Sequence, residues 1–116
     1  MPFVSATPKQ KRPFNKFGII SVSPDVETDI LLFNDNKRVS IQGLVLSTEL
    51  AGRWRLYING NLSANIMHSA GELTKEVQFG DGTIEVEPNQ EIKVTALHNT
   101  NTDITMSCNI FGLAGD

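Results

Sequence analysis

From Thr83 to Gly112 the chain places an apolar residue at every second position. The set is Ile84 and Val86, then Ile92, Val94 and Ala96, then Ile104, Met106, Cys108 and Ile110. A period of two is that of a half-buried strand, with one face on a core and the other turned to water or a partner. Pro88-Asn89 and Asn99-Thr100-Asn101-Thr102 punctuate the pattern, so this third of the chain reads as strands joined by turns. Whatever the chain becomes, this part of it is sheet.

The residues ahead of it follow the same rule. Phe17 to Val22 is β-rich and stops at Ser23-Pro24-Asp25, Thr28 to Phe33 follows, and Asn34-Asp35-Asn36-Lys37 is a turn by composition. Val39 to Thr48 reads as a long strand with Val39, Ile41, Gly43 and Val45 on one face, and Gly43 inside it marks a bulge or bend. In Arg53 to Ile58, Trp54, Leu56 and Ile58 share one face while Arg53, Arg55 and Tyr57 share the other, which makes Trp54 a core anchor. Asn59-Gly60 is the strongest hairpin signal, because both central residues of a type I′ turn need positive φ. Leu62 to His68 is the return strand, Leu73 to Phe79 the next, and Gly80-Asp81-Gly82 a tight turn. The best stretch for a helix, Ser47 to Arg53, is too short.

The expected fold is therefore all-β: a two-sheet antiparallel β-sandwich of jelly-roll type with about eight strands. An immunoglobulin-like sandwich lacks its paired cysteines here, since Cys108 is the one cysteine. A chain of 116 residues is enough for one domain that buries roughly two-thirds of its unfolded surface. No apolar run approaches the roughly 20 residues of a membrane-spanning helix, and no secretory leader pattern opens the chain. With its lone cysteine on an apolar strand face, the chain is expected to be made in a reducing cytoplasm, with Cys108 a small buried hydrophobe.

The formal net charge of −3 is unevenly spread. Residues 1–16 hold Lys9, Lys11, Arg12 and Lys16 and no acid, together with Pro2, Pro8 and Pro13. Proline with interspersed lysine disfavours a packed element, so residues 1–16 are expected to form an extended basic arm and residues 17–116 the sandwich. Fully extended, such an arm reaches on the order of 50 Å. Its aromatic residues Phe3 and Phe14, with Phe17 just beyond, suit docking on an acidic neighbour more than solvation alone. Four cations on an otherwise acidic chain make a weak phosphate footprint, which argues against nucleic acid as the partner.

Candidates for chemistry are few. His68 and His98 fall at strand ends beside polar loops and read as exposed or capping side chains. Neither has further ligands at metal spacing. Asp81 and the trio Asp25, Glu27 and Asp29 have oxygens suited to calcium, but Asp-Gly is ordinary turn chemistry, and Glu85, Glu87 and Glu91 read as solvated strand faces. No phosphate loop, nucleophile elbow or EF-hand pattern occurs in the sequence. The expectation is a non-enzyme without cofactor or metal.

Roughly from residue 38 to 113, one series carries a resemblance: Arg53-Trp54-Arg55-Leu56-Tyr57-Ile58-Asn59-Gly60, Val77 to Val86 around Gly80-Asp81-Gly82, Glu87-Pro88-Asn89-Gln90 leading to His98-Asn99, and Asn109-Ile110-Phe111-Gly112. It resembles the small β-sandwich accessory proteins of tailed bacteriophage virions, of the capsid decoration or cement type. Asn89 stands where that group usually has Gly, a change compatible with positive φ. The resemblance implies a virion structural protein, synthesised in the host cytoplasm, that binds the major capsid protein or another virion protein and self-associates as a homo-oligomer, a trimer by preference. On that reading the arm residues Phe3, Lys9, Lys11, Arg12, Phe14 and Lys16 make the contact. A tail or baseplate component is the nearest alternative. A carbohydrate-binding module using Tyr57, and Trp54 if exposed, is the alternative of another class.

Overall fold

The computed structural model describes residues 11–69, 72–79 and 83–115. Among them run nine strands and no helix: β1 (Arg12–Val22), β2 (Thr28–Asn34), β3 (Val39–Thr48), β4 (Gly52–Ile58), β5 (Asn61–His68), β6 (Thr74–Gln78), β7 (Ile84–Val86), β8 (Glu91–Leu97) and β9 (Ile104–Ala114). They form two antiparallel sheets. The first has the order β1-β9-β3-β6, with β7 also on β3, and the second has the order β2-β8-β4-β5. Successive strands change sheet at every connection except the β4–β5 hairpin and the β6–β7 break. That order and that alternation are those of a jelly roll. Nine strands agree with the expected number of about eight, one edge position being shared by β6, which faces Gly43–Ser47, and β7, which faces Val39–Ile41 of the same β3.

The alternation seen in the sequence becomes the core. Trp54 and Leu56 of β4 and Ile92, Val94 and Ala96 of β8 are buried in the second sheet; Leu44 and Leu46 of β3 and Met106, Cys108 and Ile110 of β9 are buried in the first. Removing each large side chain of this kind from water contributes about 1.5–3 kcal/mol.

Gly43 marks a bulge, and the bulge changes which residues face inward. The β3–β9 register shifts between Ile41 and Gly43, so Gln42 is an extra residue on β3. Before it the odd positions Val39 and Ile41 are buried; after it the even positions Leu44 and Leu46 are. Val45, expected on the face of Val39 and Ile41, is half-buried on the opposite face instead. One inserted residue reverses the parity of every residue beyond it. Gly112 of β9 sits against this distortion: a Cβ there would lie 1.9 Å from the Ser40 carbonyl oxygen. At the other hairpin, Asn59 (φ 51°) and Gly60 (φ 85°) take the positive φ values of a type I′ turn, and Asn89 accepts φ 68° in its own turn.

The N-terminal boundary also differs from expectation. Residues 12–16, assigned to an extended arm, are the first half of β1, paired from Arg12↔Ala114 to Val22↔Ile104 along all of β9. Pro13 is tolerated because β1 is an edge strand, where a missing N–H need not break a ladder bond. Phe14 is 8% exposed and its ring packs 5.7 Å from that of Phe33. It belongs to the core and is not a docking aromatic. The inward series Phe14, Lys16, Gly18, Ile20, Val22 is interrupted by a lysine and a glycine, which hid its period. Gly18 is needed for a close approach, since a Cβ there would meet the Ile30 carbonyl oxygen at 2.5 Å.

Candidate interaction surface

The expected contact residues fall into three groups. Phe3 and Lys9 lie outside the described residues. Phe14 is buried. Lys11, Arg12 and Lys16 are exposed at the start of the edge strand β1, with the Lys16 ammonium 5.7 Å from the Phe33 ring centroid. On the outward side of the same strand Phe17 and Ile19 are 61% and 60% exposed. Their neighbours in the sheet are Asn109 and Ser107 of β9, then Val45 and Ser47 of β3, with Phe111 and Leu113 half-buried beyond them. The first sheet therefore presents a mixed apolar and polar outer face ending in a basic edge. Its opposite edge, β6 and β7, is flanked by Glu72, Glu76, Glu85 and Glu87 with Lys75. Hydrogen bonds from the Ser40 and Thr83 hydroxyls hold the Glu85 carboxyl below the usual carboxylate range, and the charges of Lys11 and Arg38 add to this.

The outer face of the second sheet carries a polar clip. Glu27, in the β1–β2 connection, accepts from Arg55 at 2.7 Å, from the Tyr57 hydroxyl at 2.8 Å and from the Thr95 hydroxyl at 2.8 Å. Partial burial pushes its carboxyl upward, but the bonds from Thr95 and Tyr57 and the charge of Arg55 outweigh it and hold the group below its usual value. Lys93 covers the Tyr57 ring at 5.0 Å. With both oxygens occupied by three donors, Glu27 ties a loop to the sheet and is not free to join Asp25 and Asp29 around a cation. Among the described residues no group of three or more His, Cys, Asp and Glu side chains is placed to hold a metal.

The two histidines depart from expectation. His68 and His98 are 2% and 3% exposed. His98 donates from Nε2 to the Val22 carbonyl at 2.6 Å and accepts on Nδ1 from the Thr100 amide at 3.2 Å. His68 accepts on Nδ1 from the Trp54 indole at 3.3 Å, and its Nε2 meets the Glu72 carbonyl. Each Nε2 faces a carbonyl and each Nδ1 accepts a hydrogen bond, so both nitrogens of both rings are engaged within the fold. The rings stitch strand ends to the neighbouring loops, a role that position at a strand end could have signalled but exposure could not. Both line a pocket of about 330 Å³ with Asp25, Arg53, Met67 and Leu97, and there Arg53 Nε lies 3.1 Å from Met67 Sδ. Trp54 is fully buried and so cannot stack on a sugar ring.

No protein-family model matches the chain, and no curated protein matches it. Among solved structures it is similar to a chain in the structure of infectious bursal disease virus, Gt strain, with 13% sequence identity and a TM-score of 0.45. The match covers 99% of this chain and 37% of that one. A likeness at this level carries no argument about the chain.

Proposed function

We propose that the chain is a non-enzymatic structural protein of a virion, most concretely a capsid decoration protein of the phage type, made in the host cytoplasm. It binds the shell through its N-terminal segment and self-associates on it. The observation that carries the reading is the construction of β1. The jelly roll holds Arg12 and Lys16 exposed on an edge strand, with Lys11 just before it, Phe17 and Ile19 on the same strand and residues 1–10 preceding it in the chain. A basic and apolar segment issuing from a rigid body is suited to clamp an acidic neighbouring subunit, and a ligand that binds only the assembled shell stabilises it by mass action.

The test uses heads of a phage that encodes this chain, stripped of it. Full-length protein is expected to co-sediment with the shells at fixed stoichiometry. A variant lacking residues 1–10 is expected to lose binding while keeping its thermal melt, because all nine described strands lie within residues 12–114. Undiminished binding of the truncated chain would remove the clamp mechanism, and absence of full-length binding would remove the virion reading in this form.

A further inference from the structure

We propose that the two edges of the first sheet are complementary, so that β1 of one copy pairs with the β6–β7 edge of a second copy and continues the sheet from molecule to molecule. Among the described residues β1 pairs only with β9, and β6 and β7 pair only with β3. Among the described residues each edge thus has a row of backbone donors and acceptors paired to no further strand, a template for another strand.

Strand direction, one apolar row and the opposite charge of the two edges fit one occupant, a second copy. The pairs β1–β9, β9–β3 and β3–β6 are all antiparallel, so β6 runs opposite to β1. A copy set beside the first with its strands parallel to those of the first presents β6 antiparallel to β1. The registers then assign the levels. Phe17 pairs with Asn109, Asn109 with Val45 and Val45 with Glu76, so Phe17 and Glu76 lie on one row. Ile20 pairs with Met106 and Met106 with Thr48, whose amide bonds to the Leu73 carbonyl, so exposed Leu73 lies on the row of Ile20, next to exposed Ile19. Arg12 shares its row, and so its face, with Ala114, Val39 and Val86, while Glu85 and Glu87 on either side of Val86 take the opposite face. Ile20 meets Leu73 on one row and Phe17 meets Glu76 on another, and the basic start of β1 lies toward the acidic β6–β7 edge of the neighbour. A β1–β1 pairing across a two-fold axis offers no acid to Arg12 or Lys16. The contact is heterologous, and such contacts close into rings or continue as filaments.

This inference rests on the proposed function only for the fact of self-association; a chain that assembles yet ignores shells keeps it, and a chain that binds shells as a monomer loses it. The experiment is sedimentation velocity on the full chain with two exposed-residue variants, F17E/I19E on β1 and L73K/E76K on the far edge. The wild type is expected to self-associate, and each variant alone to associate at least tenfold more weakly with an unchanged melt. An equimolar mixture of the two is expected to regain a dimer, since the unaltered β1 of the L73K/E76K chain meets the unaltered far edge of the F17E/I19E chain. A monomeric wild type overturns the proposal, as does association that survives L73K/E76K, which would mark a β1–β1 contact. If the wild type is monomeric but assembles once residues 1–10 are removed, the occupant of the edge is the chain's own N-terminal segment, and the proposal also falls.

Discussion

The indole N–H of Trp54 donates to Nδ1 of His68 at 3.3 Å across the β4–β5 pair, with both side chains buried. The polar bond sits at the margin of an apolar core, where an unpaired donor or acceptor is costly. His68→Ala is expected to lose about 3 kcal/mol, from the orphaned indole N–H, the freed Glu72 carbonyl and the cavity left behind. Trp54→Phe leaves His68 Nδ1 unpaired and is expected to lose a similar amount. The double variant should lose less than the sum, since the second change no longer breaks a bond. Urea denaturation followed by far-UV circular dichroism measures all three.

The Glu27 clip predicts a dependence on pH. Its folded carboxyl lies below the ordinary value of 4.5, so the stabilisation is fully present above pH 4.5 and is lost as pH falls through the lower folded value. Glu27→Gln is expected to lower stability at pH 7 by about 1 kcal/mol, a modest figure because the clip is partly solvated. The gap between variant and wild type should narrow as pH drops below 4.5. A gap that is constant from pH 7 to pH 3, measured by thermal melts, would assign the loss to packing and not to the ionised carboxylate.

Two glycines separate steric from conformational need. At Gly112 an added Cβ collides with the Ser40 backbone, so Gly112→Ala is expected to destabilise by at least about 2 kcal/mol and to disturb the β3–β9 register. At Gly60 no atom lies within 4 Å of the added Cβ, and the cost is the positive φ alone, about 1 kcal/mol. Paired denaturation curves should rank the two in that order.

Thr48 carries a buried hydroxyl with no hydrogen-bond partner among the described residues. Thr48→Val replaces that oxygen with a methyl group of similar size and is expected to raise stability by up to about 1 kcal/mol. A loss on the same substitution, read from the denaturation midpoint, would indicate that the hydroxyl has a partner, such as a bound water.

Cys108 is fully buried on β9, and burial pushes its thiol up to about 12. Its reaction with a disulfide reagent at pH 8 is expected to be slow in the native protein and rapid in urea, with a native rate set by opening of the sheet. Fast native labelling would place the thiol at the surface.

Much of this architecture was legible in advance because a strand writes its two faces into alternate residues. Ile92, Val94 and Ala96, and Met106, Cys108 and Ile110, are buried as their spacing demands. Asn59-Gly60 turns where its tolerance of positive φ allows. These are local rules, and a local reading suffices for them. Of the candidate contact residues, the exposed cations Lys11, Arg12 and Lys16 were legible as a basic run, whereas Phe14 was not legible as core, because its burial depends on Phe33, nineteen residues away.

The sequence by itself determined that the chain is sheet, where it turns, and which strand faces are apolar, since these follow from side-chain period and backbone preference within a few residues. Tertiary structure alone decided the rest. A single extra residue at Gln42 reversed the parity of β3. Pairing with an eleven-residue β9 drew residues 12–16 out of an expected arm and into a strand. The carbonyl of Val22, 76 residues away, turned His98 into a buried tie. Each of these outcomes depends on what a residue meets across the sandwich. A position's partner is set by the whole arrangement of strands, so no local window contains it.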